Sequence, residues 1–138
     1  MFGNYQSSNI RIEIAASAEQ LSSALSEPDR LRKWLWPQQI VLFETEKGWS
    51  KDSSPLGSLS EGQVFESTLG PLKVKHQVEM KSSGGIRFLL SGGIDGFHEW
   101  QWGDGWVQSR LEGISLMPLN LGQTLSLARL RAYLAQAE

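Results

Sequence analysis

The chain contains no cysteine in 138 residues. That excludes disulfides, thiolate metal sites and a cysteine nucleophile, and it fits a reducing, cytoplasmic location. An excess of either charge is missing too: 13 Lys and Arg stand against 15 Asp and Glu, a formal net charge of −2. Without a basic surplus there is no electrostatic footprint for a phosphate backbone, so no nucleic-acid partner is expected. No run approaches the roughly 18 uncharged apolar residues that span a membrane, and no integral membrane association is expected. The opening MFGNYQSSNI has neither a basic start nor an apolar core, which predicts no secretory signal. Histidine is scarce, at 2, and no His/Asp/Glu cluster has metal-ligand spacing. No glycine-rich loop leads from a strand into a helix, and no G-x-S-x-G elbow occurs. Dedicated hydrolase or nucleotide chemistry is therefore not expected, and neither is a cofactor.

What is present is a globular composition, 40% hydrophobic and 20% charged, with 6 Trp against 2 Tyr. The length suits a single domain, 1–138. Residues 9–14 (NIRIEI) alternate, predicting a half-buried strand. Ser17 and Gln20 then form a capping box ahead of Leu21, so a short helix runs to about Ser26. Pro28 suits the first turn of a second short helix with Leu31, Trp34 and Leu35 on its apolar side, which Pro37 stops at Trp36. Residues 39–45 (QIVLFET) read as a strand, apolar enough to be buried on both faces. From Lys47 to Gly62, Ser, Gly and Pro dominate, which predicts a long loop, either a lid or disordered.

A run of strands follows. Leu72–Lys81 alternates most clearly: Leu72, Val74, His76, Val78 and Met80 share one face, and Lys73, Lys75 and Lys81 the other. Strands over 63–69, 86–91, 97–102 and 106–115 are separated by Gly70-Pro71, Gly84-Gly85, Gly92-Gly93 and Gly103-Asp104-Gly105, an antiparallel meander. Asn120 is a good cap for a final helix over 121–136. Its apolar residues predict a wide buried arc of Leu121, Leu125, Ala128, Ala132 and Ala135, with Leu127, Leu130 and Leu134 beside them. Segregated helices and a meander of about seven strands in all make the fold class α+β.

Two stretches carry a family likeness. IRIEIAASAEQLSSALSEPDRLRKWL resembles the opening of the Bet v 1-like/START superfamily (SRPBCC): strand, cap, short helix, a proline break at Glu27-Pro28-Asp29, and a second helix bearing Trp34. GFHEWQWGDGWVQSRLEG resembles that superfamily's late hairpin. The polyketide cyclase/dehydrase-like branch is most similar, beside plant-allergen-like binders and an Hsp90-coactivator-like group. The allergens' tight glycine cluster is not matched by Gly48, Gly57 and Gly62. The resemblance implies a curved antiparallel sheet gripping the long C-terminal helix, with a cavity between them for a lipid-like or polyketide-like ligand.

Several residues are candidates for that interior. His76 stands among Val74, Val78 and Met80, where a neutral imidazole can bond a ligand oxygen, move a proton as a general base, or simply satisfy a core carbonyl. His98, Trp100 and Trp102 share a strand face, the bulkier one, and suit either an amphipathic ligand or plain core filling. Phe88 and Leu127 complete the expected apolar lining. Arg131 falls within the predicted helix arc, where a guanidinium needs a ligand anion, an acid such as Glu99, or a route to water. The expected function is binding or transport of a hydrophobic small molecule by a monomer or weak homodimer. A cyclase/dehydrase-type enzyme using His76 is the alternative. An interaction module using Trp36, Trp49 and Trp106 is the third.

Overall fold

The computed structural model describes residues 3–35, 38–45, 48–50 and 57–136. The elements run β1 (Asn4–Glu13), α1 (Ala18–Ser26), α2 (Pro28–Trp34), β2 (Gln39–Thr45), β3 (Gly48–Ser50), β4 (Val64–Leu69), β5 (Leu72–Ser82), β6 (Gly85–Gly92), β7 (Ile94–Gly103), β8 (Trp106–Ser115) and α3 (Leu119–Gln136). The strands form one curved, unclosed antiparallel sheet of eight, ordered β1-β8-β7-β6-β5-β4-β2-β3. With the C-terminal helix against it, this is a helix-grip α+β fold.

Local chemistry explains the boundaries. Ser17 Oγ accepts from Gln20 N at 3.1 Å while Gln20 Oε1 accepts from Ser17 N at 2.8 Å, the reciprocal box expected there. Asp104 in the β7–β8 turn adds its Oδ1 to Ala18 N at 2.7 Å, which ties the start of α1 to that hairpin. Gly96 and Gly113 face each other across β7 and β8. A Cβ on Gly96 would stand 1.9 Å from Glu112 O, so the strands bend together where only glycine fits.

The interior covers the concave face, and α3 does not roof it alone. It packs along β1 and β8 and against α1 and α2, while α1 lies over β6 and β7. Trp34, wholly buried, anchors the short helices by donating Nε1–H to Ala24 O at 2.9 Å and setting its ring edge-on to Trp100, 5.8 Å away.

Several expectations are corrected. The sheet has eight strands because β3, inside the predicted 47–62 loop, pairs with β2. In the same stretch Leu59 is buried; residues 47 and 51–56 lie outside the described part. Strand β2 is not buried on both faces: Phe43 is buried, but Gln39 and Glu44 are exposed. The first strand starts earlier than its alternation indicates because polar 4–8 pairs fully with β8 as the sheet edge. Helix α2 ends at Trp34, with Leu35 as its C-cap. Met80 leaves the Val74–His76–Val78 face because the register slips between Val78 and Met80, and it is 51% exposed. The buried side of α3 is Leu119, Gln123, Ser126, Leu127, Leu130 and Leu134; Leu121, Ala128, Ala132 and Ala135 face water. The two stripes lie on opposite sides of the wheel, so they cannot form one arc. Nor does Asn120 cap this helix. Gln6 Oε1 accepts from Leu119 N at 2.9 Å, and Asn120 Nδ2 donates to Ser8 Oγ.

Candidate functional site

Strands β4 to β8 turn a shared face inward, and the candidates divide on it. Val74, His76 and Val78 of β5, Phe88 of β6, and His98, Trp100 and Trp102 of β7 are all buried there, with Leu127 from α3. Arg131 is not: it is exposed, and its Nη2 donates to Glu13 O at 2.6 Å. Its direction follows from the helix wheel, which sets residue 131 off the Leu127–Leu130–Leu134 stripe. With Glu13, Ile14 and Leu134 it lines an open cleft of about 620 Å³ between the end of β1 and the last turns of α3.

Both histidines have a hydroxyl partner at Nε2. His76 Nε2 shares a hydrogen bond of 2.9 Å with Ser67 Oγ, and its ring stacks on Phe65 with centroids 4.3 Å apart. His98 Nε2 lies 2.7 Å from Ser109 Oγ, and its ring tilts over Trp100 at 4.6 Å. Ser109 Oγ also accepts from Gln123 Nε2 at 2.9 Å, which leaves its own proton to donate to His98 Nε2. A continuous polar chain thus runs from α3 through β8 to β7, walled by aromatic rings.

Burial holds both imidazoles neutral. Loss of solvation pushes His98 down to about 3, and His76 likewise to about 3, with the nearby His98 adding to the effect. Such weakly basic imidazoles are poor general bases near neutral pH and serve as hydrogen-bonding groups.

Among the neutral groups of the described residues, three buried side-chain atoms have no partner: Ser26 Oγ, Trp102 Nε1 and Gln123 Oε1. Sequence reasoning missed Ser67, Ser109 and Gln123. Each left a signal: Ser67 interrupts the inward row Phe65–Leu69, Ser109 the row Val107–Leu111, and Gln123 the stripe Leu119–Leu127.

The indoles proposed for docking separate. Trp49 is 48% exposed, Trp106 is half-buried beneath Arg11, whose Cζ lies 4.1 Å from the ring centroid, and Trp36 lies outside the described residues. Lys73 and Lys75 are solvated, and Lys81 donates to Leu59 O at 2.8 Å. No group of three His, Asp or Glu among the described residues is placed to hold a metal, and no helix there is long and apolar enough to cross a membrane.

This architecture is the helix-grip fold that the resemblance to the Bet v 1-like/START superfamily implied. Solved structures share it at low identity. DynU16, from the dynemicin biosynthetic locus, superposes with a TM-score of 0.65 at 13% identity over 96% of this chain; this chain spans 48% of that protein's length. CalU16 from Micromonospora echinospora gives 0.63 at 18% identity, covering 96% of this chain and 78% of the other. The Aha1 dimer from Colwellia psychrerythraea gives 0.62 at 18%, covering 96% and 98%. No family model and no curated protein matches the sequence.

Proposed function

We propose that the protein binds or carries a hydrophobic or amphipathic small molecule between its sheet and the helices α1 and α3. The observation that carries this reading is the polar chain Gln123–Ser109–His98, with His76–Ser67 two strands away, inside an aromatic wall. A core needing only cohesion is made of apolar side chains, because each buried polar group costs free energy unless it is matched. Here polar groups are concentrated on the face that the helices cover. The helix-grip fold supports the same reading, since it sets a curved sheet opposite a helix.

The enzyme alternative is the weaker one. It needs a proton-transfer group near neutral pH, while both imidazoles titrate near 3 and Arg131 points away. Of the two indoles of the interaction-module reading that are described, Trp49 is well exposed and Trp106 is half-buried. The dimeric state of the Aha1 relative belongs to that protein; for this chain we propose a monomer or weak homodimer, which sedimentation velocity reads directly.

Nile red, an uncharged polarity-sensitive dye, tests the binding reading. A saturable emission increase at one dye per chain is expected, reduced when Val78→Trp fills the interior. Absence of saturable binding, or binding that the filling substitution leaves unchanged, refutes the reading.

A further inference from the structure

We infer that the interior selects an uncharged, largely apolar molecule bearing a hydroxyl group, which Gln123 Oε1 and Trp102 Nε1 recognise. This deepens the interior-binding reading and rests on it. Gln123 is 2% exposed, and its Nε2 donates to Ser109 O at 2.7 Å, Ser109 Oγ at 2.9 Å and Ser8 O at 3.3 Å. The two backbone carbonyls can only accept, so the amide cannot be turned over, and Oε1 is held facing away from them. Nothing among the described residues donates to that oxygen.

Trp102 is 4% exposed, and its indole N–H, a donor only, has no acceptor among the described residues. The two unmet atoms belong to one wall. Ser109, which Gln123 grips, pairs across the sheet with Trp100, and Trp102 lies two residues further along the same face of β7, about 7 Å of strand. One missing donor and one missing acceptor match a hydroxyl, which supplies both.

Charge excludes the alternatives. A carboxylate or phosphate in this space needs a cation, and the two imidazoles stay neutral down to about pH 3. Arg131 is committed outside to Glu13 O. The guanidinium of Arg32, over the ring of Phe43, belongs with β2 at the far end of the sheet order from β8. An anion beside Gln123 would be desolvated without a partner.

Displacement of Nile red at pH 7.5 by four probes with the same eight-carbon chain tests this: octan-1-ol, methyl octyl ether, octane and octanoate. Affinities of the three uncharged probes are referred to each probe's partition from water into hydrocarbon, and octanoate is compared with octan-1-ol by direct affinity. The alcohol is expected to bind tightest, the ether, which only accepts, less tightly, and octane weaker again. Each step is about threefold to tenfold, the effect of one net hydrogen bond. Octanoate is expected to bind weakest. Trp102→Phe keeps a ring and removes the donor, so it should narrow the gap between ether and octane. Octanoate matching octanol, octanol matching octane, or a Trp102→Phe profile identical to the parent overturns the proposal. Nile red bound at one per chain but displaced by none of the four also overturns it, while the interior reading stands. No Nile red site at all overturns both.

Discussion

His76 and His98 carry a consequence that acid makes visible. In an unfolded chain each titrates near 6.5, whereas in the fold each is held near 3. Between these values the unfolded chain takes up protons that the folded one refuses. Their contribution to stability is therefore complete above about pH 6.5 and falls away as the pH drops toward 3. At pH 5.5 the loss is about 1.4 kcal/mol per histidine relative to pH 7.5, a window in which most carboxylates are still ionised. Urea unfolding at the two pH values should show it, and His76→Gln should lose about half as much as the parent; equal acid sensitivity would refute the assignment. At this scale the sequence was partly legible. Strict alternation along Leu72–Val78 and Phe97–Trp102 grouped each histidine with its face-mates, because a strand side chain has only two directions, but which face of 97–102 turns inward stayed open, with bulk favouring that of His98, Trp100 and Trp102. Met80 escaped because a bulge is a one-residue event with no local signature. Arg131 and Gln123 escaped because two apolar stripes on α3 competed, and only tertiary contact decides which one a helix buries.

Among the elements, the hairpin β7–β8 does the most to shape the interior. The facing pair Gly96 and Gly113 lets the two strands approach, and Gly96 Cα has backbone where a Cβ would go. Gly96→Ala is expected to destabilise the protein by roughly 2 kcal/mol or more, since backbone must move, and to weaken Nile red binding by flattening the wall that holds Trp100 and Trp102. Unchanged thermal unfolding and dye affinity would contradict that account. The capping box at Ser17, the break at Pro28 and the turns at Gly70 and Gly103–Gly105 were readable because they are local chemistry, decided within a few residues. Strand β3 was not. Three residues set in a Ser/Gly-rich stretch carry too little periodicity, and their pairing with β2 comes from the sheet edge that the rest of the fold presents.

For the whole molecule, the order of elements already implied α+β, and the likeness of two stretches to the Bet v 1-like/START superfamily anticipated the grip. Neither could show how the roof is shared. The final helix follows β1 and β8, and α1 covers β6 and β7; together they close the concave face over a neutral, aromatic, partly polar interior. Each buried polar atom left unmatched costs about 1–3 kcal/mol, and two such atoms, on Gln123 and Trp102, stand on one wall. Our central claim is that a guest molecule meets them. The most direct test follows the indole N–H resonances of the ¹⁵N-labelled protein during titration with octan-1-ol, with Trp102 assigned by Trp102→Phe. The account predicts a saturating downfield shift of the Trp102 N–H while that of exposed Trp49 stays in place. Movement of Trp49 with Trp102 unmoved, or no saturable shift of either, would contradict it.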